Sequence, residues 1–361
     1  MTEADPAGEG RRADLARRLS RALAEAGHPA AGTRAEPMAD KGLAHDHLRL
    51  PGTDLVARCP KQSQMGLAAH ENLAYQAACF ARAAESGHAP RLHGVIAPSD
   101  ALPRGGLLVE EIEGRAAELP QDLDAIVAAL ASIHALPVPP VAERPPLLAP
   151  DDPLGAMIAE IEAQARYLDT AGVEPFTRTL IGEGLAGLKA RAASPDRPEA
   201  RLISFDAHPG NFLVRDDGRA VLVDLEKARY GPPPLDLAHA TLYTSTTWDI
   251  ESHAVLDTER TAEAMALWLD RYGEGADAMR PWIAPLRRAM WLWSLSWCAK
   301  WRALSGRAAA TGADGEDWSA DSSDDALVVH VRDRVDHYLD PQTAAFVAAD
   351  CDALQARFGA A

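Results

Sequence analysis

The chain has 361 residues, more than one compact core usually holds, so its length predicts two lobes or domains. Its composition, 47% apolar and 25% charged, is typical of a soluble globular protein, and no apolar run approaches the length of a membrane span. The net charge of -17 disfavours nucleic acid as a partner, because phosphate backbones would be repelled, and is compatible with a cationic small molecule.

Cysteine usage and the first residues indicate the compartment. The four cysteines are scattered without a C-x-x-C pair, which argues against a disulfide framework or a zinc site and fits a reducing environment. The first ten residues are polar and acidic, without the apolar centre of a secretory signal. We therefore expect a cytoplasmic protein.

The first third of the chain predicts a small sheet with helices. Residues 11–26 carry leucines at helical spacing and end before Gly27. A helical pattern at residues 66–86 separates three β-prone runs from two later ones. The five runs are residues 34–38, 45–50, 55–59, 90–95 and 106–110. Together these elements predict a five-stranded antiparallel sheet with a helix inserted after its third strand.

The rest of the chain is mostly helical. Helical patterns occupy residues 120–137, 152–172, 175–193, 235–242 and 281–304, and two more begin at residues 326 and 341. In the most aromatic of them, Trp293, Trp297 and Trp301 recur at helical spacing, which predicts core packing. Residues 244–257 are predicted to form an exposed acidic loop, and residues 311–325 a mobile acidic segment.

Residues 202–236 contain the most informative pattern. An Asp-Gly step joins the apolar runs 212–214 and 220–223, which is the strongest short-range signal for a β-hairpin. Because hairpin arms of similar length bring their ends together, Asn211 and Asp224 should be neighbours, with Asp206 close by. The sequence therefore predicts an oxygen-rich, anionic cluster at the open end of the hairpin.

The composition of this cluster points to phosphoryl transfer. Mg²⁺ prefers oxygen ligands and commonly uses one or two carboxylates together with substrate phosphates. Kinase-type transfer needs a catalytic-loop Asp, an Asn five residues later and a further Asp for metal, and Asp206, Asn211 and Asp224 have that spacing. Any one of them alone is more typical of a polar turn.

At these residues the chain resembles the aminoglycoside phosphotransferase/choline kinase family of small-molecule kinases. The family's loop reads H-G-D-x-H-x-x-N, followed by a hairpin and D-x-E. Asp206, His208, Asn211, Asp224 and Glu226 stand in the matching places. The family's His-Gly before the catalytic Asp is Ser204-Phe205 here, so the bracing of the loop is expected to differ. A weaker resemblance extends over most of residues 35–300.

The resemblance implies an α+β, bilobal, protein-kinase-like fold. Its N-lobe, a small antiparallel five-stranded sheet with a helix, would span residues 1–111, and its larger, mostly helical C-lobe residues 112–361, with ATP between them. The implied activity is ATP-dependent transfer of the γ-phosphoryl group to a hydroxyl of a small molecule, aminoglycoside-like or an amino alcohol. Asp206 would orient the hydroxyl and accept its proton, while Asn211 and Asp224 would hold Mg²⁺.

The same resemblance implies nucleotide-binding residues in the N-lobe. A cation on the third strand should bind the phosphates. Arg58 is the first candidate, and Lys61 and Lys41 are alternatives. Glu71 on the following helix would hold Arg58 by an ion pair. The phrase LVEEIEG matches the hinge, where backbone groups from Glu110 to Ile112 would meet the adenine edge.

Two other classes remain open at this point. A nucleotide-binding scaffold without turnover, like a pseudokinase, would explain Ser204-Phe205. A metal-dependent hydrolase could use Asp206, His208 and Asp224, but it offers no role for the hinge phrase.

Overall fold

A computed structural model describes residues 6–39, 42–319 and 323–358 of the chain, with the side chains of residues 6–9 left out. The chain divides into two compact units. The first contains Met1–Ala84, Pro90–Glu111 and Leu304–Asp333, and the second contains Glu85–Ala89, Ile112–Ala303 and Arg334–Ala361. One division therefore falls between Glu111 and Ile112, the predicted boundary. The prediction did not include the assignment of residues 304–333 to the first unit or of residues 85–89 to the second.

The helices and strands have the following bounds. The helices are α1 (Pro6–Glu25), α2 (Ala69–Ala83), α3 (Leu123–His134), α4 (Pro153–Ala165), α5 (Pro175–Ala192), α6 (Pro234–Thr241), α7 (Tyr243–Thr246), α8 (Thr258–Tyr272), α9 (Ala276–Met279), α10 (Ile283–Leu304), α11 (Asp325–Leu339) and α12 (Pro341–Phe358). The strands are β1 (Glu36–Pro37), β2 (His45–Leu50), β3 (Leu55–Pro60), β4 (Leu92–Ile96), β5 (Gly106–Glu110), β6 (Arg115–Ala116), β7 (Arg201–Ile203), β8 (Phe212–Val214), β9 (Ala220–Leu222) and β10 (Arg229–Gly231).

The first unit is built on the predicted five-stranded sheet. Its strands are ordered β1-β2-β3-β5-β4, and every neighbouring pair is antiparallel. Leu19 and Leu23 of α1 are fully buried and belong to one apolar cluster with Leu48 and Leu50 of β2. The leucine spacing of the N-terminal helix therefore reflects packing on this sheet, because burial of apolar area is what holds an amphipathic helix in place.

The second unit is mostly helical and contains two small sheets. One has the order β6-β8-β9, and the other pairs β7 with β10. Trp268 of α8 is fully buried in a cluster that includes Leu123 of α3 and Leu354 of α12. In α10, Trp293 and Trp301 are buried and Trp297 is partly buried, which confirms the prediction of core packing for this stripe. Among the described residues, no helix is both long and apolar enough to cross a bilayer.

The small antiparallel sheet and the helical remainder confirm the predicted α+β fold class. The element that positions the candidate site is the hairpin of β8 and β9, in which Phe212 pairs with Leu222 and Val214 with Ala220. Its turn is closed by the N–H of Gly218, which donates to the carbonyl of Arg215 at 2.9 Å. Gly218 has a φ of 81°, a conformation that glycine adopts without a steric penalty.

Candidate active site

The loop that carries Asp206 connects β7 to β8. The backbone N–H of Asn211 donates to the His208 carbonyl at 2.9 Å, and the Asn211 side-chain amide donates to the Asp206 carbonyl at 2.8 Å. The two bonds close the loop on itself. Asp206 and Asn211, five positions apart, are therefore held together by the asparagine side chain.

The carboxylate of Asp206 is paired with a lysine that the sequence reasoning did not identify. Lys227 Nζ donates to Asp206 Oδ2 at 2.9 Å, and the exposed fractions of the two side chains are 12% and 13%. Burial raises the pKa of Asp206, but the neighbouring basic groups, Lys227 foremost among them, together lower it by more, so the pKa lies below its ordinary value. The Asp206 carboxylate is thus held ionised and ready to accept a proton.

The hairpin brings Asn211 next to the strand end that leads into Asp224. The N–H of Val223 donates to the Asn211 carbonyl at 2.9 Å, one residue before Asp224. Asp224 is close enough to Asp206 for its charge to raise the pKa of that carboxyl. The structure therefore brings Asp206, Asn211 and Asp224 together at the open end of the hairpin.

The donor set at this end of the hairpin suits a hard cation. A carboxylate oxygen of Asp224 lies within 4.8 Å of one from Glu226. Because Asn211 uses its amide nitrogen on the loop, its Oδ1 is left without a hydrogen-bond partner among the described residues. Carboxylate and amide oxygens are the ligands that Mg²⁺ prefers, and this ion takes few protein ligands and keeps positions for phosphate and water.

Asp236 holds the backbone of the catalytic loop by hydrogen bonds. Its two carboxylate oxygens accept the backbone N–H of Ser204 at 2.7 Å and that of Phe205 at 2.8 Å. His134 Nδ1 accepts the indole N–H of Trp268 at 3.1 Å, so His134 Nε2 carries the proton that it shares with Asp236 at 3.2 Å. Asp236 and His134 therefore have structural roles, since their contacts hold the backbone of the loop.

Phe205 occupies the position where the family carries glycine. The backbone conformation at this position explains why glycine is preferred there. Its φ is 57°, in the left-handed region that costs a non-glycine residue roughly 1–2 kcal/mol. Its ring is buried between the indole of Trp293, at 5.2 Å between centroids, and the guanidinium of Arg229, 3.8 Å from the ring centroid. Glu160 accepts hydrogen bonds from both flanking groups, at 2.8 Å and 3.1 Å. A packed aromatic ring and the Asp236 carboxylate thus hold the loop in this conformation.

Two neutral histidines and one further carboxylate adjoin Asp206. Burial lowers the pKa of His208, and it lowers the pKa of His239 to about 4. The imidazole centroids are 6.1 Å apart. Asp249 packs closely against the loop. A Cβ atom added to Gly210 would lie 2.7 Å from the Cβ of Asp249. The prediction of an exposed acidic loop at residues 244–257 is therefore wrong for Asp249, which is half-buried against the catalytic loop.

The predicted phosphate-binding cations of the first unit differ in their surroundings. Arg58 lies in β3 between His47 and Leu107 of the adjacent strands, is buried, and has its guanidinium 5.2 Å from the ring centroid of Phe80. Lys61 donates to the Gly42 carbonyl at 3.0 Å, so its ammonium is engaged within the unit. Lys41 lies outside the described residues.

The predicted ion pair between Glu71 and Arg58 is not found. Glu71 is exposed in the first turn of α2, and its carboxylate accepts the N–H of Ala68 at 3.3 Å, which is its one hydrogen bond within the described residues. The helix register explains the difference, because the buried face of α2 carries Gln76 and Phe80 instead. Gln76 Oε1 lies 2.9 Å from His45 Nε2 on β2.

The predicted hinge follows β5. Glu110 ends the strand, pairs with Leu55 and gives its N–H to the Arg91 carbonyl at 2.9 Å. Ile112 is buried, and no hydrogen bond to its backbone occurs within the described residues. The backbone N–H and carbonyl of Ile112 are therefore not used by the described residues.

Comparison with known proteins places the chain in a family. The sequence profile of the phosphotransferase enzyme family matches residues 43–286, which is more than half of the chain. The chain therefore belongs to the phosphotransferase enzyme family. Nothing in the match favours the scaffold without turnover. No curated protein matches the chain.

Solved structures share the fold at low sequence identity. A choline/ethanolamine kinase family protein from Mesorhizobium loti is 18% identical, with a TM-score of 0.58 over 94% of this chain and 99% of that one. An ethanolamine kinase from Plasmodium vivax is 11% identical, with a TM-score of 0.56 over 88% and 84%. The GDP complex of aminoglycoside 2'-phosphotransferase-IIIa is 15% identical, with a TM-score of 0.58 over 94% and 99%.

Proposed function

We propose that the protein transfers the γ-phosphoryl group of ATP to a hydroxyl group of a small molecule. The observation that carries the proposal is the ionised carboxylate of Asp206, held by Lys227 at 2.9 Å beside the oxygen donors of Asn211 and Asp224. A fixed base next to a cation site is what phosphoryl transfer requires, because its catalysis consists mainly of positioning and charge stabilisation.

In this reaction Asp206 accepts the hydrogen bond of the acceptor hydroxyl and orients its oxygen toward the γ-phosphorus. The new O–P bond forms as the bond between the γ-phosphorus and the bridging oxygen breaks, ADP leaves, and the hydroxyl proton passes to the Asp206 carboxylate. The low pKa of Asp206 suits a base that orients the hydroxyl early and takes its proton late.

Asn211 and Asp224 would hold Mg²⁺ through Oδ1 and a carboxylate oxygen, with Glu226 within reach of the same ion. When bound, the ion would neutralise phosphate charge. In the first unit, Arg58 would bind the phosphates, because its planar guanidinium matches phosphate oxygens. The unused backbone of Ile112, next to Glu110, supports an adenine contact at the hinge.

The acceptor would be an amino alcohol or an amino sugar, in line with the acidic surface of the chain and with the choline, ethanolamine and aminoglycoside enzymes that share its fold. The GDP complex among these enzymes makes GTP the nucleotide to compare with ATP.

The test measures ADP release from Mg-ATP, and GDP release from Mg-GTP, across amino-alcohol, amino-sugar and neutral sugar acceptors. Asp206→Asn should lower kcat by about 10²-fold to 10⁴-fold while nucleotide binding remains. The matched control is Asp216→Asn in the exposed turn of the hairpin, which should turn over like the parent protein. Unchanged turnover in Asp206→Asn would exclude the mechanism.

A further inference from the structure

The N-cap position of α2 has no side chain that could cap the helix. The residue before the helix is Ala68, which has no side-chain acceptor, so the first N–H groups of α2 need partners from elsewhere. Asp314 Oδ1 accepts the N–H of Ala69 at 2.7 Å, across 245 positions of sequence. The helix is therefore capped by an aspartate from the acidic segment 311–325.

Backbone groups extend the contact around Asp314. The N–H of Gly315 donates to the Leu67 carbonyl, and the Gly315 carbonyl accepts the N–H of Ser63, both at 2.9 Å. The N–H of Asp317 donates to Gln62 Oε1 at 2.9 Å. We refer to residues 312–319 as the clasp. It bonds to three residues of the connection between β3 and α2.

The first residues of the clasp are bound by an arginine from the loop before β5. The guanidinium of Arg104 donates to the carbonyls of Gly312, at 2.9 Å, and Ala313. Arg104 lies just before β5, which is the strand paired with β3. The clasp thus ties the entry of α2 to the loop before β5, entirely within the first unit.

The elements that the clasp joins are those that place Arg58. Arg58 projects from β3, and the ring against its guanidinium belongs to Phe80 of α2. This contact of the guanidinium therefore depends on how α2 is seated against β3. Since Glu71 makes no ion pair with Arg58, no salt bridge between these two residues fixes that seating.

We propose that the clasp is a positioning element for nucleotide binding, in which Asp314 seats α2 against the strand that carries Arg58. The inference rests on the proposed function, because it takes Arg58 as the residue that binds phosphate. Asp314 itself touches no nucleotide and acts through α2.

The test compares Asp314→Ala with Asp314→Asn. Asparagine caps helices as well as aspartate does, whereas alanine cannot accept the bond. Asp314→Ala should raise the dissociation constant and KM for Mg-ATP by about fivefold to tenfold, which corresponds to the usual strength of a cap, with kcat within about twofold of the parent value. Asp314→Asn should bind like the parent protein, as should the control Asp100→Ala, which changes an exposed aspartate of the same unit.

Hydrogen exchange of the first turn of α2 provides a readout that does not depend on activity. Exchange at residues 69–73 should be faster in Asp314→Ala and unchanged in Asp314→Asn. Faster exchange with unaltered nucleotide affinity would overturn the proposal and leave a purely structural cap. If Asp314→Ala does not fold, the same measurements are made on Arg104→Gln, which removes the guanidinium that binds the carbonyls of Gly312 and Ala313. A parent protein that binds no nucleotide, with exchange responding as expected, would instead refute the proposed function.

Discussion

The ammonium of Lys227 lies 2.9 Å from the carboxylate of Asp206, 21 positions earlier in the chain. Lys227 follows the D-x-E motif by one residue, and its Nζ also lies 5.8 Å from the ring centroid of Trp293. Burial lowers the pKa of this lysine, but the neighbouring carboxylates, Asp206 foremost among them, together raise it by more, so the pKa is raised. The two charges therefore keep each other ionised in a buried place, and the base is fixed before an acceptor arrives.

Removal of the Lys227 charge should slow turnover and change its pH dependence. In Lys227→Met we expect kcat to fall by about tenfold to 10²-fold, since the base loses its orientation. The Asp206 carboxyl loses the cation that lowers its pKa, so it becomes protonated at higher pH and the acidic limb of the kcat profile moves upward. The measurement is kcat as a function of pH at saturating Mg-ATP.

Two further variants complete that experiment. Lys227→Arg keeps the charge and should retain the position of the acidic limb. Lys189→Met removes an exposed lysine of α5 that pairs with Glu162, and it should leave both kcat and the limb unchanged. An acidic limb in Lys227→Met that coincides with that of the parent protein would contradict the role assigned to the pair.

The left-handed backbone of Phe205 predicts that replacement by glycine destabilises the protein less than replacement by alanine, the reverse of the usual order. Both Phe205→Gly and Phe205→Ala lose the buried ring, at a cost of about 3–5 kcal/mol in the free energy of unfolding. Only glycine adopts a φ of 57° without the steric penalty, so Phe205→Gly should be more stable than Phe205→Ala by about 1 kcal/mol. Urea unfolding of the two variants measures the difference.

Phe212 supplies the matched comparison. It is equally buried, but its φ is -110°, an ordinary strand conformation. Here Phe212→Ala should be more stable than Phe212→Gly by about 0.5–1 kcal/mol, because glycine loses more freedom on folding. If alanine were also the more stable replacement at residue 205, the conformation of that residue would not be strained.

Substitution of Asp236 tests the bracing of the catalytic loop. In Asp236→Asn only one side-chain oxygen remains, so the amide NH₂ faces one of the backbone N–H groups of Ser204 and Phe205. A buried donor without an acceptor should lower the free energy of unfolding by about 1–3 kcal/mol and reduce kcat through a displaced Asp206. Chemical unfolding and kcat are measured together. Asp270→Asn, on an exposed position of α8, should match the parent protein in both, and equal stability of Asp236→Asn would rule out the bracing.

The buried histidine of α6 predicts a pH dependence of stability. Burial lowers the pKa of His239 from 6.5 to about 4, so between these values the unfolded chain binds a proton that the folded chain excludes. The stabilising effect of the neutral imidazole is therefore complete above pH 6.5 and is lost as the pH falls toward 4. In this window the free energy of unfolding should decrease by up to about 1.4 kcal/mol per pH unit for this residue.

His239→Gln should remove that contribution and flatten the dependence between pH 6.5 and 4. Burial lowers the pKa of His208 in the same direction, so part of the slope should persist. His253→Gln, at an exposed position, should keep the full slope. Parallel curves for His239→Gln and the parent protein would show that His239 is protonated in the folded state as readily as in the unfolded chain.

The hairpin and its cluster could be predicted because their causes are local. An Asp-Gly turn fixes the register of β8 and β9, and that register alone places Asn211 near Asp224. The Glu71 prediction failed for a related reason, because a residue's order along the chain does not determine which face of a helix it occupies. Gln76 and Phe80, and not Glu71, lie on the buried face of α2.

By itself, the sequence determined the fold class, the catalytic loop and the hairpin, because turn residues, apolar periodicity and close spacing act between neighbours in the chain. Only the tertiary structure decided which distant group meets each of these elements. It paired Lys227 with Asp206, brought Asp236 into hydrogen-bond contact with the backbone of the catalytic loop, and placed Asp314 at the start of α2. Such contacts depend on how whole elements pack, since a single charge or cap gains about 1 kcal/mol and follows the positions that burial of apolar area has already set.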